Sequence, residues 1–220
     1  MIGAGFVLRF TWMQGPLLSL TLLGSLWLAQ PAAAHPAEAE RLGRYEVTLH
    51  SEPIAPGVVR HRAAGIFDAA PEAVLRVATR YDEYREYMPR VIASRTVSRA
   101  PGEAVVLLEA EMPWPLPIAW AYTRFRSEPH QGHGELVRFS MVRGNMLRYE
   151  GSLVIEPYDR GRSLVTYELV AQPDLRLPRA WVQPLIGRGA ASFLHSLRSR
   201  INHLQRHGLL AQAPHHSHEE

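Results

Sequence analysis

The spacing of apolar positions divides the chain into segments of two kinds. From residue 91 to residue 172, apolar and polar residues alternate with a period of two, which is typical of β-strands with one buried face. Breaks rich in Gly and Pro separate six predicted strands: 91–99, 104–112, 118–128, 135–143, 146–156 and 163–172. Because the connections are short, these strands are predicted to form an antiparallel meander.

Two further strands and two short helices are predicted ahead of this meander. Residues 44–50 and 57–67 alternate like strands, and the Pro-rich link between them favours a hairpin. Residues 68–80 change to helical spacing, with Asp68 as the expected N-cap. The run YDEYREYMP, 81–89, continues as a second short helical piece that stops at its proline.

A long amphipathic helix is predicted from about Pro178 to Arg206. Its apolar positions recur every three or four residues: Val182, Leu185, Ile186, Ala190, Phe193, Leu197, Ile201 and Leu204. The predicted strands have a complementary division, since one face is apolar and the other carries mainly Arg and Glu. The economical arrangement is a curved antiparallel sheet that buries its apolar face against this helix.

Composition and charge narrow the functional classes. The 220 residues, of which 46% are hydrophobic, suit one globular domain with a sizeable core. All 24 basic residues are Arg, and they are mixed with acidic residues without forming a basic stripe. We therefore expect no nucleic-acid partner. The chain has no Cys, which excludes disulfides and thiol catalysis. We expect a monomer.

The first 34 residues have the organisation of a secretory signal peptide. Arg9 supplies a positive charge, 17–29 is an apolar stretch, and PAAAH offers a small-residue cleavage site after Ala34. We therefore expect a periplasmic or secreted protein, with an uncleaved membrane anchor as the alternative. The chain is then expected to contain a signal peptide (1–34), a flexible leader (35–43), a folded domain (44–207) and a disordered, His-rich tail (208–220).

Three stretches of sequence resemble a known superfamily. FDAAPEAVLRVATRYDEYREYMPRV (67–91) is similar to its strand-to-helix start, and MPWPLPIAWAYTRFR (112–126) resembles its Trp-Pro-containing link into a long central strand. FLHSLRSRI (193–201) resembles the end of its gripping helix. Over residues 57–206 the chain resembles the START-like, or SRPBCC, helix-grip superfamily of polyketide cyclase/dehydrase, coenzyme-Q-binding and lipid-transfer proteins.

The resemblance implies an α+β helix-grip fold, in which six to eight curved antiparallel strands wrap around a long C-terminal helix. Two short helices would follow the first strands. Members of the superfamily include carriers, enzymes and proteins of other roles, so the fold does not settle the activity. The function that the resemblance favours is binding or transfer of a hydrophobic small molecule, such as a lipid, a quinone or a polyketide-like compound.

The expected ligand site is an apolar cavity between the sheet and the helix. The helix carries small residues from Gly187 to Ser192, opposite Ala119, Ala121 and Gly151 on the strands. Small residues on opposed faces allow either close packing or space for a ligand. We predict these ligand-binding residues: Ala121, Thr123, Phe125, Phe139, Met141, Leu147, Tyr149, Leu153, Tyr167, Gly189, Phe193 and Leu197.

Polar side chains on the inner face leave an enzymatic alternative open. Tyr149, Tyr167, Thr123 and His61 are predicted to point inward, where they would orient a ligand, transfer a proton or simply bond within the core. A cyclase- or dehydratase-type enzyme is therefore the alternative function, and an interaction module with a filled cavity is the third.

No motif supplies a catalytic set, and we assign no catalytic residue and no cofactor. The best candidates for acid–base chemistry are Glu109 with Glu111, and His61 with Glu168. For Glu109 and Glu111, surface ion pairing with neighbouring Arg is the ordinary explanation. A metal site is not expected either. His35, a new N-terminus after cleavage, and the tract containing His215 lie in segments without a preformed geometry.

Two aromatic groups lie near the predicted mouth of the cavity. Trp114 and Trp120 either pack a loop over the sheet edge or make a transient membrane contact, since indole suits the lipid–water interface. Tyr81, Tyr84 and Tyr87 share one side of a turn and are expected to cap the open end of the fold, with a lid as the alternative.

Overall fold

In a computed structural model, which describes residues 46–114, 116–131, 134–159, 161–174 and 179–210, eight strands precede one long helix. The strands are β1 (Thr48–Ala55), β2 (Val58–Phe67), β3 (Val91–Ala100), β4 (Glu103–Ala110), β5 (Ala119–His130), β6 (Gly134–Gly144), β7 (Met146–Pro157) and β8 (Ser163–Pro173). The helices are α1 (Pro71–Ala78), α2 (Tyr84–Tyr87) and α3 (Arg179–Arg206), with a 3-10 turn at Tyr81–Glu83.

The described strands form one antiparallel sheet in the order β1-β2-β8-β7-β6-β5-β4-β3. The predicted meander is confirmed, since each strand from β3 to β8 pairs with the next. The predicted hairpin of β1 and β2 joins this meander through β8, from Arg60↔Val170 to Phe67↔Ser163. The expected α+β helix-grip fold is thus confirmed, with eight strands and two short helices after the first hairpin.

The first strand differs from its prediction. The pattern placed it at 44–50 and assigned the following Pro-rich residues to a link, but the strand runs from Thr48 through Pro53 to Ala55. β1 is an edge strand, and its register with β2 shifts between Pro53 and Ala55. A proline is tolerated there because an edge strand has backbone groups that need no sheet partner.

Helix α1 begins later than predicted. Its N-cap is Ala70 rather than Asp68, and no side chain caps it; Pro71 provides the pre-set backbone angle of the first turn. Asp68 instead lies just before the helix, where its carbonyl oxygen accepts a hydrogen bond of 2.7 Å from Gln205 near the end of α3. This bond ties the start of the short helix to the end of the long one.

The densest part of the core lies against the C-terminal half of α3. Leu194, Leu197 and Ile201 of α3 are completely buried, as are Val74 and Val77 of α1. The inner faces of the strands contribute Phe67, Val106, Ile155 and Val165, which are also closed to solvent. Aliphatic side chains from the two helices and the sheet therefore fill this end of the fold.

Strands β6 and β7 diverge at the other end. Their ladder runs from Glu135↔Ile155 to Ser140↔Glu150. Beyond it, β6 continues to pair with β5 as far as Gly144, and β7 pairs with β8 from Met146 onward. In this region β6 is therefore hydrogen-bonded to β5 and β7 to β8, so the curved sheet is wider at this end.

Some predictions fall outside the described residues. These are the signal peptide, the leader at 35–43, His35 and residues 211–220 of the tail predicted at 208–220. At the start of that tail, Leu210 is described and is buried against the core, contrary to the predicted disorder. Within the part of the chain that is described, no helix is long and apolar enough to cross a membrane. The same residues contain no group of three or more His, Asp or Glu side chains that could hold a metal ion.

Candidate functional site: a cavity under the first half of the long helix

A cavity of about 660 Å³ lies between the wide end of the sheet and the N-terminal half of α3. Strands β4 to β8 form its floor, and Leu185, Ile186, Gly189 and Phe193 of α3 form its roof. The turn from Met88 to Val91 closes one side. Its size lies within the range of small-molecule sites in proteins.

The small residues that predicted this space have different roles. A Cβ at Gly189 would meet no atom within 4 Å, so this glycine faces open space. A Cβ at Gly187 would lie only 2.9 Å from Nδ1 of His61, and one at Gly151 would lie 2.6 Å from the Phe139 ring. Gly187 and Gly151 therefore allow close packing, whereas Gly189 leaves room.

Eight of the twelve predicted ligand-binding residues line the cavity. The strands contribute Ala121, Phe125, Phe139, Tyr149, Leu153 and Tyr167, and the helix contributes Gly189 and Phe193. Their contact with a ligand stays a prediction, but the structure brings them to one surface. The period-two alternation placed the strand residues on this face because side chains of a strand point alternately to its two sides.

Leu147 is a correction. It was expected to face inward with Tyr149, but its side chain is 60% exposed. The register of β7 with β8 shifts between Met146 and Arg148, so Leu147 is an extra residue in the strand. Such a bulge reverses the alternation before it. Met146 consequently takes the inward position and lines the cavity instead.

Three other predicted residues face inward but lie away from the cavity surface. Leu197 is completely buried in the filled end of the core. Thr123 is also closed to solvent, and its hydroxyl has no hydrogen-bond partner among the described residues. Met141 lies opposite Thr123 in the β5–β6 ladder, near the place where β6 leaves β7, and is partly buried.

The inner wall of the cavity is aromatic. Tyr167 stacks on Phe193 of the helix, with ring centres 4.4 Å apart, and on Phe139, at 5.7 Å. Phe139 also packs against Tyr149 at 5.3 Å and against Phe125 at 5.9 Å. These rings bring an apolar surface of fixed shape into the cavity.

Tyrosine hydroxyls provide the polar groups of this wall. Burial raises the pKa of Tyr149 to about 12, although the neighbouring Tyr167 hydroxyl opposes the shift by hydrogen bonding. Burial also raises the pKa values of Tyr167 and Tyr84 well above the usual tyrosine value. The three groups are therefore protonated near neutral pH and act as hydrogen-bond donors rather than as bases.

His61 is a correction of a different kind. It is buried as predicted, but its ring is held outside the cavity, with Nδ1 2.8 Å from the Ser51 hydroxyl and Nε2 2.9 Å from Oε1 of Gln183. His61 pairs with Leu169 across the β2–β8 ladder, whereas Glu168 pairs with Arg62. Neighbouring positions on a strand point to opposite faces, so His61 and Glu168 do not form an acid–base pair.

Charged residues lie at the rim of the cavity and not on its aromatic wall. The charged lining residues are Arg90, Glu109, Glu111, Asp174 and Arg188, and all but Glu109 are exposed. Sequence reasoning considered Glu109 and Glu111 only as surface carboxylates, and it missed the two arginines. Their positions depend on how the turn before β3 and the start of α3 meet the sheet, which no local pattern reports.

Strand β4 and the turn before β3 also supply apolar lining that was missed. Leu108 and Ala110 point into the cavity from β4, and Met88 does so from the end of α2. The alternation of β4 contains a usable signal, because Ala104, Val106, Leu108 and Ala110 occupy one face. Tyr84 of α2 lines the same space, so the YDEYREYMP segment forms part of the wall.

Large apolar side chains are exposed around the mouth. Trp114 is 93% exposed and Trp181 is 70% exposed. Trp114 follows the lining residue Pro113, and Trp181 lies one helical turn before the lining residue Leu185. The packing of Trp114 over the sheet edge, which was the first interpretation, is therefore wrong. Trp120 is partly buried, and Arg143 lies 5.8 Å above its ring.

Solved structures with the same fold include proteins of different activity. A STAR-related lipid transfer protein from Xanthomonas axonopodis aligns with a TM-score of 0.62 and 21% identity, over 71% of this chain and 98% of that one. The Zhui aromatase/cyclase from a Streptomyces species aligns at 0.60 and 12% identity, over 74% and 100%. At these identities the likeness shows the fold alone.

A human lipid transfer domain, that of StarD13, shares the fold as well. It aligns with a TM-score of 0.59 and 12% identity, over 74% of this chain and 93% of that one. No curated protein sequence matches the chain. The model of the family described as polyketide cyclase/dehydrase and lipid transport matches residues 67–198, which is more than half of the chain. The resemblance inferred from three stretches of sequence is thus confirmed, and the chain belongs to this polyketide cyclase/dehydrase and lipid transport family.

Proposed function

We propose that this protein binds a hydrophobic small molecule, such as a lipid, a quinone or a polyketide-like compound, in the cavity under α3 and transfers it. The observation that carries the proposal is the space itself. About 660 Å³ stays open beside a densely filled core, and Gly189 faces it without a neighbour. Burial of an apolar ligand against this wall would contribute about 25 cal/mol per Å² of area removed from water.

The direct test is native mass spectrometry of the full chain, expressed with its N-terminal segment, followed by lipid extraction. A bound species of lipid-like mass is the expected result. Uptake of the apolar fluorophore N-phenylnaphthylamine by the delipidated protein provides a second readout. A protein that is always bare and takes up no fluorophore would contradict the proposal and favour the interaction module.

A matched pair of variants connects uptake to the cavity. Gly189→Trp places an indole in the open space beside the roof, where a Cβ meets nothing, so uptake should fall several-fold without loss of folding. Ser199→Trp adds the same side chain to an exposed position of the same helix and should leave uptake unchanged. Equal effects of the two variants would place the bound fluorophore elsewhere.

The mouth of the cavity supports a transient contact with a membrane. Trp114, Trp181 and Leu147 are exposed around the opening, and a hydrophobic ligand leaving the cavity would pass them. Exposed tryptophans beside an apolar opening match the chemistry of a lipid surface. Trp114→Ser with Trp181→Ser should reduce co-flotation with phosphatidylcholine vesicles. Tyr158→Ser, at the far end of β7, removes an exposed aromatic ring as a control.

The export expected from residues 1–34 is part of the proposal. A carrier with a cleaved signal peptide would serve the periplasm or the cell exterior. Mass determination of the protein recovered from the exported fraction should give a chain that begins at His35. A chain that keeps Met1 and stays with the membrane fraction would support the anchor instead.

A cyclase- or dehydratase-type enzyme is the second candidate, because two protonated tyrosines face the cavity. Such hydroxyls can donate to a substrate carbonyl, but His61, the other inward residue considered for proton transfer, is bonded to Ser51 and Gln183. Turnover of a bound polyketide-like substrate that is lost in Tyr149→Phe, with binding retained, would favour the enzyme over the carrier.

A further inference from the structure

Two tyrosines bring polar groups to the largely apolar inner wall of the cavity. Tyr149 of β7 and Tyr167 of β8 reach it from adjacent strands. In the ladder, Tyr149 lies opposite Ala171 and Tyr167 opposite Leu153, so the two tyrosines are diagonal across Gly151. The ring of Phe139 covers Gly151, where a side chain would clash with it. The missing side chain of Gly151 therefore lets Phe139 lie against both tyrosines.

The two hydroxyls have an incomplete set of hydrogen bonds. They lie within hydrogen-bonding reach of each other, and each influences the ionisation of the other. Two hydroxyls that bond to one another use one of their two protons, which leaves one proton to donate. Among the described residues, no further partner takes that proton. A donor left unpaired in an apolar wall is costly, so this proton suits an acceptor on a ligand.

Tyr84 differs from this pair in its hydrogen bonding. Its hydroxyl also belongs to the cavity wall, but it donates a hydrogen bond of 2.6 Å to the carbonyl oxygen of Ala78. Its proton is therefore committed to the fold. Tyr84 supports the wall, whereas the Tyr149–Tyr167 pair has a donor to offer.

The distribution of charged side chains around the cavity restricts which end of a ligand can reach the Tyr149–Tyr167 pair. The exposed arginines Arg90 and Arg188 lie at the rim, whereas the described rings of the inner wall, such as Phe139, Tyr149 and Tyr167, belong to uncharged residues. An ionised carboxylate or phosphate at the tyrosines would be desolvated without a counter-ion, which is strongly unfavourable. A neutral oxygen has no such cost.

We propose that the ligand of this cavity is an uncharged, flat ring compound whose carbonyl oxygen is inserted first and accepts a hydrogen bond from the Tyr149–Tyr167 pair. The ring system packs against the aromatic wall, and any charged group of the ligand stays at the rim beside Arg90 and Arg188. This inference rests on the proposed binding function and adds to it the class of ligand and its orientation.

The test compares two fluorophores that share a naphthalene ring system. Prodan is a naphthyl ketone whose emission shifts to shorter wavelength when its carbonyl loses a hydrogen bond, and N-phenylnaphthylamine has no carbonyl. The double variant Tyr149→Phe/Tyr167→Phe removes both hydroxyls and should weaken Prodan binding by about three- to tenfold, the typical worth of one hydrogen bond. It should also blue-shift the bound Prodan emission. Binding of N-phenylnaphthylamine should change by less than twofold.

Tyr84→Phe is the matched control. It also removes a hydroxyl from the cavity wall, but one whose proton is already bonded to Ala78. We expect Tyr84→Phe to change the affinities for the two fluorophores by the same factor and to leave the emission wavelength of bound Prodan unchanged. Thermal unfolding of each variant checks that the fold is retained.

The outcomes separate this inference from the proposed function. The wild-type protein could take up N-phenylnaphthylamine while removal of the two hydroxyls leaves the affinity for Prodan unchanged. In that case the cavity binds apolar molecules, and the proposed carbonyl site is overturned. Equal losses of both fluorophores in the Tyr149→Phe/Tyr167→Phe double variant would also overturn it, since they would indicate shape alone. If neither fluorophore binds the wild-type protein, the binding function itself fails.

Discussion

Helix α3 lies along one sheet, yet its two halves differ in how they meet it. In the C-terminal half, Leu194, Leu197 and Ile201 are completely buried among aliphatic side chains of α1 and the strands. In the N-terminal half, Arg188 and Gly189 are exposed, and the helix roofs a cavity of about 660 Å³. The comparison shows that one amphipathic pattern can fill a core or leave a space, depending on the size of its residues and on the width of the sheet below.

The filled half should carry more of the stability than the half above the cavity. Leu197→Ala should lower the free energy of unfolding by about 2–5 kcal/mol, because it opens a cavity in a closed core. Leu185→Ala is the matched control, since the same change on the same helix enlarges a space that already exists. Urea denaturation should give a much smaller loss for Leu185→Ala. Equal losses would remove the distinction between the halves.

A pair of glycines within the cavity half distinguishes a packed side of α3 from an open side. Gly187→Ala should destabilise the protein by about 1–3 kcal/mol, the usual cost of overpacking. The added Cβ would lie 2.9 Å from the His61 ring, which cannot easily yield because Ser51 and Gln183 hold it. Gly189→Ala meets no atom and should gain up to about 1 kcal/mol from helix propensity. Destabilisation by both substitutions, measured by thermal unfolding, would show that no open space lies beside Gly189.

The tyrosines of the cavity half should make the free energy of unfolding fall at alkaline pH. Burial raises the pKa of Tyr149 to about 12 and also raises the pKa of Tyr167 well above the usual tyrosine value. Their contribution is therefore fully present below pH 10 and is lost as the pH rises above it, because the unfolded chain releases these protons first. The free energy of unfolding should fall between pH 10 and pH 12, and the decline should be shallower in Tyr149→Phe. Tyrosinate absorbance that rises before unfolding would indicate a water-filled wall.

Loss of the ion pairs between Arg200 and the segment around α2 should have the smallest effect on stability. Arg200 of α3 binds Glu83 at 2.9 Å and Glu86 at 3.0 Å, which joins the long helix to the segment around α2. Partly exposed pairs of this kind contribute about 0–1 kcal/mol and are screened by salt. A double-mutant cycle of Arg200→Met and Glu83→Gln should give a coupling in that range that declines with added salt. A coupling that is large and independent of salt would mean that these ion pairs are structurally essential.

The local pattern of apolar and polar residues was sufficient to predict most of the fold. The alternation over 91–172 placed six strands close to their observed bounds, and the apolar stripe from Val182 to Leu204 placed the helix. Both predictions worked because burial of one face imposes a fixed period on the sequence. The pairing of β2 with β8 was not predicted, since it joins distant segments and no local period reports which edges meet.

The candidate site was predicted less completely than the fold. Strand alternation gave the aromatic wall, including Phe139, Tyr149 and Tyr167, but it failed at Leu147, where an extra residue in β7 reverses the faces. It also failed to show that His61 is held by Ser51 and Gln183 rather than by the cavity. Bulges and hydrogen bonds between distant residues depend on backbone geometry that residue types alone do not specify.

The pattern of residue types is sufficient to predict a sheet with one apolar face, a helix that covers it and a run of small residues where the two meet. It does not show that Gly187 is closely packed while Gly189, two positions further, faces open space, which depends on the packing of distant segments. The tertiary structure also placed Tyr149 and Tyr167 on the inner face of adjacent strands, diagonally across Gly151, where both line the cavity. The physical reason is that a period in the sequence assigns a residue to a face, whereas the distance across to the opposite face depends on where the strands diverge.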